Sequence, residues 1–233
     1  MKKLFRRLFI IMLFVFTFFC ANTIYNGYTL YKDKTNEIPL EEKVTLIKEQ
    51  QNYVSYNDIP NTFINALVSI EDHRFFEHNG IDIQSILRAV VTDIVNMKLV
   101  EGGSTITQQL AKNMYYTQDK NFSRKVAEVF TVFDIEKKYS KEEILELYLN
   151  IVYFGDGYYG IYNASTGYFN KVPSELNLDE VTTLAGIPNA PSVYALSNSS
   201  SLTKKRQEMV VDAMLKYDCI TLEEADKVKN DNK

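Results

Sequence analysis

Gly102-Gly103-Ser104-Thr105-Ile106-Thr107-Gln108-Gln109 opens the stretch around which the chain is organised, and the stretch runs on through Lys112-Asn113 to Lys120, Arg124, Lys125 and Glu128. Glycines let a backbone approach a ligand closely with its N–H groups turned toward an anion. Hydroxyl and amide side chains add oriented hydrogen bonds. Lys112, Lys120, Arg124 and Lys125 then gather positive charge within a short span of an acidic protein. A glycine turn before a helix with a solvated basic face explains any one of these features taken singly. Together they read as a cradle for a diphosphate.

Outward from this stretch the apolar pattern is helical, so the fold expected is mainly α. Ile83, Ile86, Leu87, Val90, Val91, Ile94 and Val95 recur at three and four, a strong amphipathic helix whose apolar face is expected in the core, with membrane contact as the alternative destination. Phe63, Ile64, Leu67 and Val68 follow Asp58-Ile59-Pro60 at helix-like spacing and lead to Glu71, while Val126, Val129, Phe130 and Phe133 carry a helix through Glu128. Ser140-Lys141-Glu142-Glu143 is a capping-box pattern, repeated from Asn177 to Glu180 and from Thr221 to Glu224. Between helices, Tyr153-Phe154-Gly155-Asp156-Gly157-Tyr158-Tyr159-Gly160 reads as a loop that lines a cleft.

The 233 residues, 45% hydrophobic and 24% charged, suffice for one substantial core plus an appendage. A net charge of −4 excludes a general attraction to nucleic acid, so an anion site must be a local cluster. Cys20 and Cys219 provide neither a disulfide framework nor a cysteine-based zinc site.

Lys2, Lys3, Arg6 and Arg7 precede an apolar run from residue 8 to residue 21, broken by one Thr and extended toward an interface by Asn22-Thr23-Ile24-Tyr25. The charges give a positive-inside signal, and no Ala-x-Ala cleavage site follows. The expectation is an uncleaved signal anchor: residues 1–26 as a basic cytoplasmic tail and transmembrane helix, 27–43 as a polar stalk, and 44–233 as a domain outside the cytoplasm.

A second constellation precedes the first. Glu71-Asp72-His73-Arg74-Phe75-Phe76-Glu77-His78-Asn79-Gly80 sets two carboxylates at the end of an apolar helix, beside aromatics and a turn glycine. A carboxylate in apolar surroundings suits general acid–base work, and a capping or salt-bridged role is the plainer alternative for Glu71. His73 and His78, the only histidines, are poorly spaced for a metal, and His78 reads as a structural hydrogen-bonding group.

These ten residues, residues 102–109 with Lys112-Asn113, Arg124-Lys125-Val126-Ala127-Glu128, and Lys141-Glu142-Glu143-Ile144-Leu145-Glu146-Leu147-Tyr148-Leu149-Asn150 stand in the order and spacing of the peptidoglycan glycosyltransferases. Over roughly residues 57–214 the chain resembles that family's monofunctional, membrane-anchored members. The resemblance implies a lysozyme-like, two-lobed helical domain behind an N-terminal transmembrane helix. It also implies polymerisation of lipid II into β-1,4-linked glycan strands at a bacterial membrane, by inverting transfer of the growing glycan chain from undecaprenyl diphosphate. Transpeptidase, divisome or elongasome proteins are the implied protein partners.

On the same resemblance Glu71 is the base for the acceptor's 4-hydroxyl. Glu128 matches the second glutamate, which positions the diphosphate directly or through a divalent cation, Mg²⁺ or Mn²⁺. Lys112, Lys120, Arg124 and Lys125 would offset the leaving group's charge, and Ser104, Thr105, Gln108, Gln109 and Asn113 complete the expected substrate contacts. Asp72 is in the motif with a catalytic and a helix-stabilising role both open. Lys120 stands where relatives often carry Arg, Asn163 replaces the usual Glu after Gly-Ile, Asn170 replaces the Gly of Tyr-Phe-Gly-Lys, and Leu196 stands where a Pro often follows the Tyr. These departures touch substrate contacts and leave the two glutamates in place.

Other classes predict other features. A lysozyme-like hydrolase or lytic transglycosylase has no need of the cations between residues 112 and 125, and a noncatalytic scaffold none of Glu71 and Glu128. On the length of this sequence a penicillin-binding transpeptidase is not expected. Ser201-Leu202-Thr203-Lys204 is a chance Ser-x-x-Lys match with no Lys-Thr-Gly after it.

Overall fold

The apolar run near the N-terminus begins a helix much longer than itself. In the computed structural model, which describes residues 2–96, 103–116, 121–198 and 200–230, helix α1 spans Lys2–Glu37. The side chains of residues 90, 93–96 and 200 lie outside the description, as do Gly102 and Lys120. From Leu4 to Phe19 nearly every large apolar side chain of α1 is exposed, and among the described residues this is the helix long and apolar enough to cross a membrane. Its C-terminal half packs on helix α6, Phe122–Lys138, from Phe19 beside Phe122 to Tyr31 beside Asp134.

Gly27 makes that packing close: a Cβ there would stand 2.6 Å from Val126 Cβ and 2.8 Å from the Ser123 carbonyl oxygen. The rings of Tyr28 and Tyr31 lie 5.3 and 5.6 Å from that of Phe130, and the Tyr31 hydroxyl donates to Asp134. The residues expected as a stalk are therefore helix to Glu37 and joined to the domain through α6. Gly27, Tyr28 and Tyr31 share one helical face, a pattern masked by the charges of Lys32, Asp33 and Lys34 around it.

The rest of the chain is a helical domain, as its periodicities predict. Its helices are α2, Leu40–Lys48; α3, Asn61–Glu71; α4, Ile83–Asn96; α5, Ile106–Tyr115; α7, Lys141–Ile151; α8, Ile161–Phe169; α9, Leu178–Gly186; α10, Pro191–Tyr194; α11, Ser200–Lys216; and α12, Leu222–Asn230. Among the described residues there is no β-strand, and one isolated bridge joins Tyr153 to Tyr159. The main core gathers Phe63 and Leu67 of α3, Leu110 of α5, Tyr148 of α7, Leu184 of α9 and Val210 of α11, and a small second cluster joins Val211 of α11 to Ala225 and Val228 of α12. Helix α3 packs against α9 and α11, and α5 lies against both α6 and α7.

Three capping boxes predicted from sequence form at Ser140, Asn177 and Thr221, where each hydroxyl or amide meets the backbone three residues on and the Glu reaches back. Asn170 closes α8 in the left-handed conformation, φ 54°, which Asn tolerates next best after Gly. Its substitution for the expected Gly thus keeps the turn.

Helix α4 departs from expectation. Ile83, Leu87 and Val91 are each at least 60% exposed, and only Ala89 among its described apolar residues is buried. The periodicity is that of a helix with one apolar face, but the described part of that face, Ile83, Ile86, Leu87 and Val91, does not enter the core. Val90, Ile94 and Val95 belong to the side chains outside the description.

Candidate active site

Glu71 is the last residue of α3, and its side chain is only 6% exposed. Its surroundings are more polar than the neighbouring aromatics suggest. One carboxylate oxygen accepts from Arg206 at 2.8 Å and the other from the Gln109 amide at 2.9 Å. Each oxygen keeps a lone pair for a further donor. Gln109 Oε1 in turn accepts from the Tyr148 hydroxyl at 3.0 Å.

Arg206 and Tyr148 join this hydrogen-bonded group, and the motif reading missed both contacts. Arg206 lies in a basic run, but it falls on the face of α11 shared by buried Val210 and Met214, four and eight residues on. An arginine on an apolar face needs a buried partner, and that was the available signal. Tyr148, fully buried on the apolar face of α7, likewise needs a partner for its hydroxyl.

Asp72, the C-cap residue of α3, turns to structure. Both its oxygens lie 2.9–3.0 Å from His78 Nε2, and Oδ2 also accepts the N–H of Ile106 at 3.0 Å, at the start of α5. His78 Nδ1 accepts the Gly80 N–H at 3.1 Å, which leaves Nε2–H to donate to Asp72. The geometry carries the helix-stabilising role for Asp72 and the structural one for His78. Gly80 itself has φ 82°, and a Cβ there would strike Val132 and Glu136.

The residues first read as ligand contacts divide into two groups. Thr105 and Gln108 are buried and form the capping box of α5: Thr105 Oγ1 accepts from Gln108 N at 3.1 Å, Gln108 Oε1 accepts from Thr105 N at 3.0 Å, and the Thr105 hydroxyl donates to the Gly80 carbonyl at 2.6 Å. Ser104 accepts from Lys125 at 3.3 Å and stays at the charged cluster. Asn113 is exposed, and its contribution rests on position alone. Lys120 lies outside the described residues.

The charged cluster forms where α5 faces α6. Glu128 is 1% exposed and pairs with Lys125 at 3.0 Å and with Arg124 at 3.4 Å, although its Oε1 makes no hydrogen bond. Lys112, one turn after Gln109 on α5, has its pKa lowered by burial. Glu128 pulls it back up, Arg124 and Lys125 push it further down, and Glu71 adds a raising contribution. Lys112 thus lies within the electrostatic reach of both glutamates, and α5 joins them: Gln109 reaches one and Lys112 the other.

Glu128, the residue expected to hold a divalent cation, does not by itself make a metal site. Among the described residues no three His, Cys, Asp or Glu side chains converge. Glu128 is a lone carboxylate already flanked by two cations. An oxygen-ligated divalent cation needs more donors than this.

The family model described as Transglycosylase matches residues 39–215, well over half of the chain. The chain belongs to the transglycosylase family. This bears out the likeness to peptidoglycan glycosyltransferases carried by the four motifs. Among similar proteins, penicillin-binding protein 1F of Bacillus subtilis (strain 168) is 45% identical over 185 residues, covering 79% of this chain and 26% of that protein. Penicillin-binding protein 1A of Neisseria cinerea is 41% identical over 184 residues, covering 79% and 23%. The chain spans about a quarter of the length of the curated relatives it matches. A crystal structure of penicillin-binding protein 1A from Haemophilus influenzae is 24% identical, with a TM-score of 0.46 over 76% of this chain and 17% of that one. In this transglycosylase-family domain, therefore, a buried, doubly bonded glutamate and a cation–glutamate cluster share one helix as their link.

Proposed function

We propose that the chain is a membrane-anchored peptidoglycan glycosyltransferase that polymerises lipid II, with the N-terminus cytoplasmic and the catalytic domain on the outer side. The observation that carries the proposal is the pairing of Glu71 with the Lys112, Arg124, Lys125 and Glu128 cluster across α5. Inverting transfer between sugars needs both: a base for the incoming hydroxyl and positive charge for the departing diphosphate.

Glu71 removes the proton from the acceptor's 4-hydroxyl as that oxygen attacks the anomeric carbon of the growing chain. The bond from that carbon to the undecaprenyl diphosphate breaks on the opposite face, which gives the β-1,4 linkage. Arg124 and Lys125, held by Glu128, and Lys112 offset the charge that develops on the leaving diphosphate. A hydrolase of similar fold has no use for this cluster. Ser104 and Gln109 complete the proposed contacts, while Thr105 and Gln108 support them through the α5 cap. Among the described residues no ligand set for Mg²⁺ or Mn²⁺ converges, and no step of this scheme is routed through a metal.

The exposed apolar face of α4 supports contact between the domain and the bilayer, which also brings the site to a lipid substrate. Association with transpeptidase, divisome or elongasome proteins remains part of the proposal.

The test is incubation of the detergent-solubilised full chain with labelled lipid II, followed by separation of polymer. Glu71→Gln should lower polymerisation by about 10²–10⁴, the usual cost of losing acid–base catalysis, with lipid binding retained. Near-normal polymer from that variant refutes the assignment.

A further inference from the structure

We propose that Tyr148 is a positioning residue for the base: its buried hydroxyl orients the Gln109 amide so that the N–H side, not the carbonyl, meets Glu71. The inference rests on the reading of Glu71 as the base and adds to it a residue that never touches substrate.

The Tyr148 side chain is fully buried, and its hydroxyl donates to Gln109 Oε1 at 3.0 Å. The other end of the same amide donates to Glu71 Oε2 at 2.9 Å. A flipped amide would set its carbonyl oxygen against the carboxylate oxygen, oxygen to oxygen. The Tyr148 O–H and the ionised Glu71 therefore select one orientation between them. Burial raises the Tyr148 hydroxyl's pKa well above its ordinary value, and the charge of Glu71 raises it further, so the hydroxyl is a donor at neutral pH.

The amide has little other freedom. The N-terminus of α5 is fixed by Asp72 on Ile106 N and by Thr105 on the Gly80 carbonyl, so Gln109 is brought to Glu71 by the helix itself. The charged and titratable groups around Glu71 are Arg206 from α11, Lys112 from α5 and Tyr148 from α7. Of these, Tyr148 is linked to the base by hydrogen bonds through Gln109. Its hydroxyl also polarises the amide and so strengthens the N–H offered to the carboxylate.

Tyr148→Phe removes one oxygen from a packed core. It leaves Gln109 Oε1 without its donor and lets the amide turn, which weakens the bond that holds Glu71 ready to accept a proton. With the full chain in detergent and labelled lipid II, kcat for Tyr148→Phe should fall about tenfold, the worth of one buried hydrogen bond, while KM changes by less than about twofold. The acid limb of the kcat–pH profile should move to higher pH. Gln109→Met, which keeps length but bonds to neither partner, should move the limb the same way. The double variant should be no worse than Gln109→Met alone.

A Tyr148→Phe chain that melts at lower temperature but keeps the wild-type kcat and acid limb per folded molecule shows core packing alone and overturns the proposal. Additive losses in the double variant also overturn it, since Tyr148 would then act by another route. If Tyr148→Phe does not fold, Gln109→Met carries the test, and an unmoved acid limb in that variant is equally fatal. Active Glu71→Gln removes the base itself, and with it this proposal. Inactive Glu71→Gln with an unmoved Tyr148→Phe profile removes only the positioning role.

Discussion

Gly27→Ala changes one hydrogen into a methyl group in the C-terminal part of α1, and its sign separates a docked anchor helix from a loose tether. On a free helix the change stabilises, because Ala exceeds Gly in helix propensity by about 1 kcal/mol. On a helix packed as here the new Cβ meets Val126 Cβ and Cγ1 at 2.6 Å and the Ser123 carbonyl oxygen at 2.8 Å. Two of these three atoms are backbone or fixed directly to it, so no rotamer change relieves the contact. Overpacking of this kind costs about 1–3 kcal/mol, and the rigid neighbours put the cost in the upper part of that range. The net loss is then about 1–2 kcal/mol. For a chain of this size that lowers the melting temperature by about 2–8 °C. Thermal unfolding of the full chain, followed by circular dichroism at fixed detergent, reads it directly. Turnover should fall as well, because α6 carries Arg124, Lys125 and Glu128 within one turn of the contact. A rise of about 2–4 °C with unchanged turnover would mean that α1 does not rest on α6, and the reasoning would fail.

Arg206→Gln strips the partner from a carboxylate that is only 6% exposed, so it should destabilise by about 3 kcal/mol, or roughly 6–12 °C in melting temperature, and lower turnover; an unchanged melting temperature refutes the buried pair. Glu128→Gln leaves Arg124 and Lys125 without their shared anion. Its expected result is a lower melting temperature and slower polymerisation, with any stimulation by Mg²⁺ or Mn²⁺ intact per folded molecule; loss of that stimulation would return a metal role to Glu128. Asp82 concerns acid stability. Burial alone would raise its pKa, but hydrogen bonds from Arg74 and Ser85 outweigh it and hold the carboxyl well below the usual range. A carboxyl depressed in the folded state contributes stability that is complete above the unfolded value near 4 and is lost as pH falls below it. Asp82→Asn should therefore be less stable at pH 7 and show a shallower fall in melting temperature from pH 5 to pH 3, and parallel curves for the two proteins would disprove the linkage.

What the sequence made legible follows the range of the interactions. Caps at Ser140, Asn177 and Thr221 close over three residues, so the pattern and the contact are nearly the same thing. The Glu71–Arg206 pair spans 135 residues, and nothing local to either one names the other. Thr105 and Gln108 show a subtler limit. Thr105-Ile106-Thr107-Gln108 matches a capping box as well as it matches a ligand-binding run, and only burial decides between them. Helix α4 shows the converse: a period fixes which side chains share a face, while what the face meets is settled by the rest of the chain.

The organising role of residues 102–128 then has a physical basis different from the glycine pair that first draws attention to it. Helix α5 is fixed at its start by a capping box, by Asp72 on the Ile106 N–H and by the Thr105 hydroxyl on Gly80. Once that end is set, helical geometry determines the rest. Gln109 and Lys112 are three residues apart and therefore neighbours on one face. One holds the proposed base, while the other stands by the proposed leaving-group cluster. A change in the α5 cap should for that reason disturb both functions together, even though Thr105 and Gln108 reach neither glutamate in this structure. Substitution of Thr105 by Val, which removes the cap hydroxyl at nearly constant volume, should cost about 1 kcal/mol of stability. It should also slow polymerisation with retained lipid II binding. A variant that lost lipid II binding while keeping its melting temperature would instead make Thr105 a direct ligand contact, as the motif alone suggests.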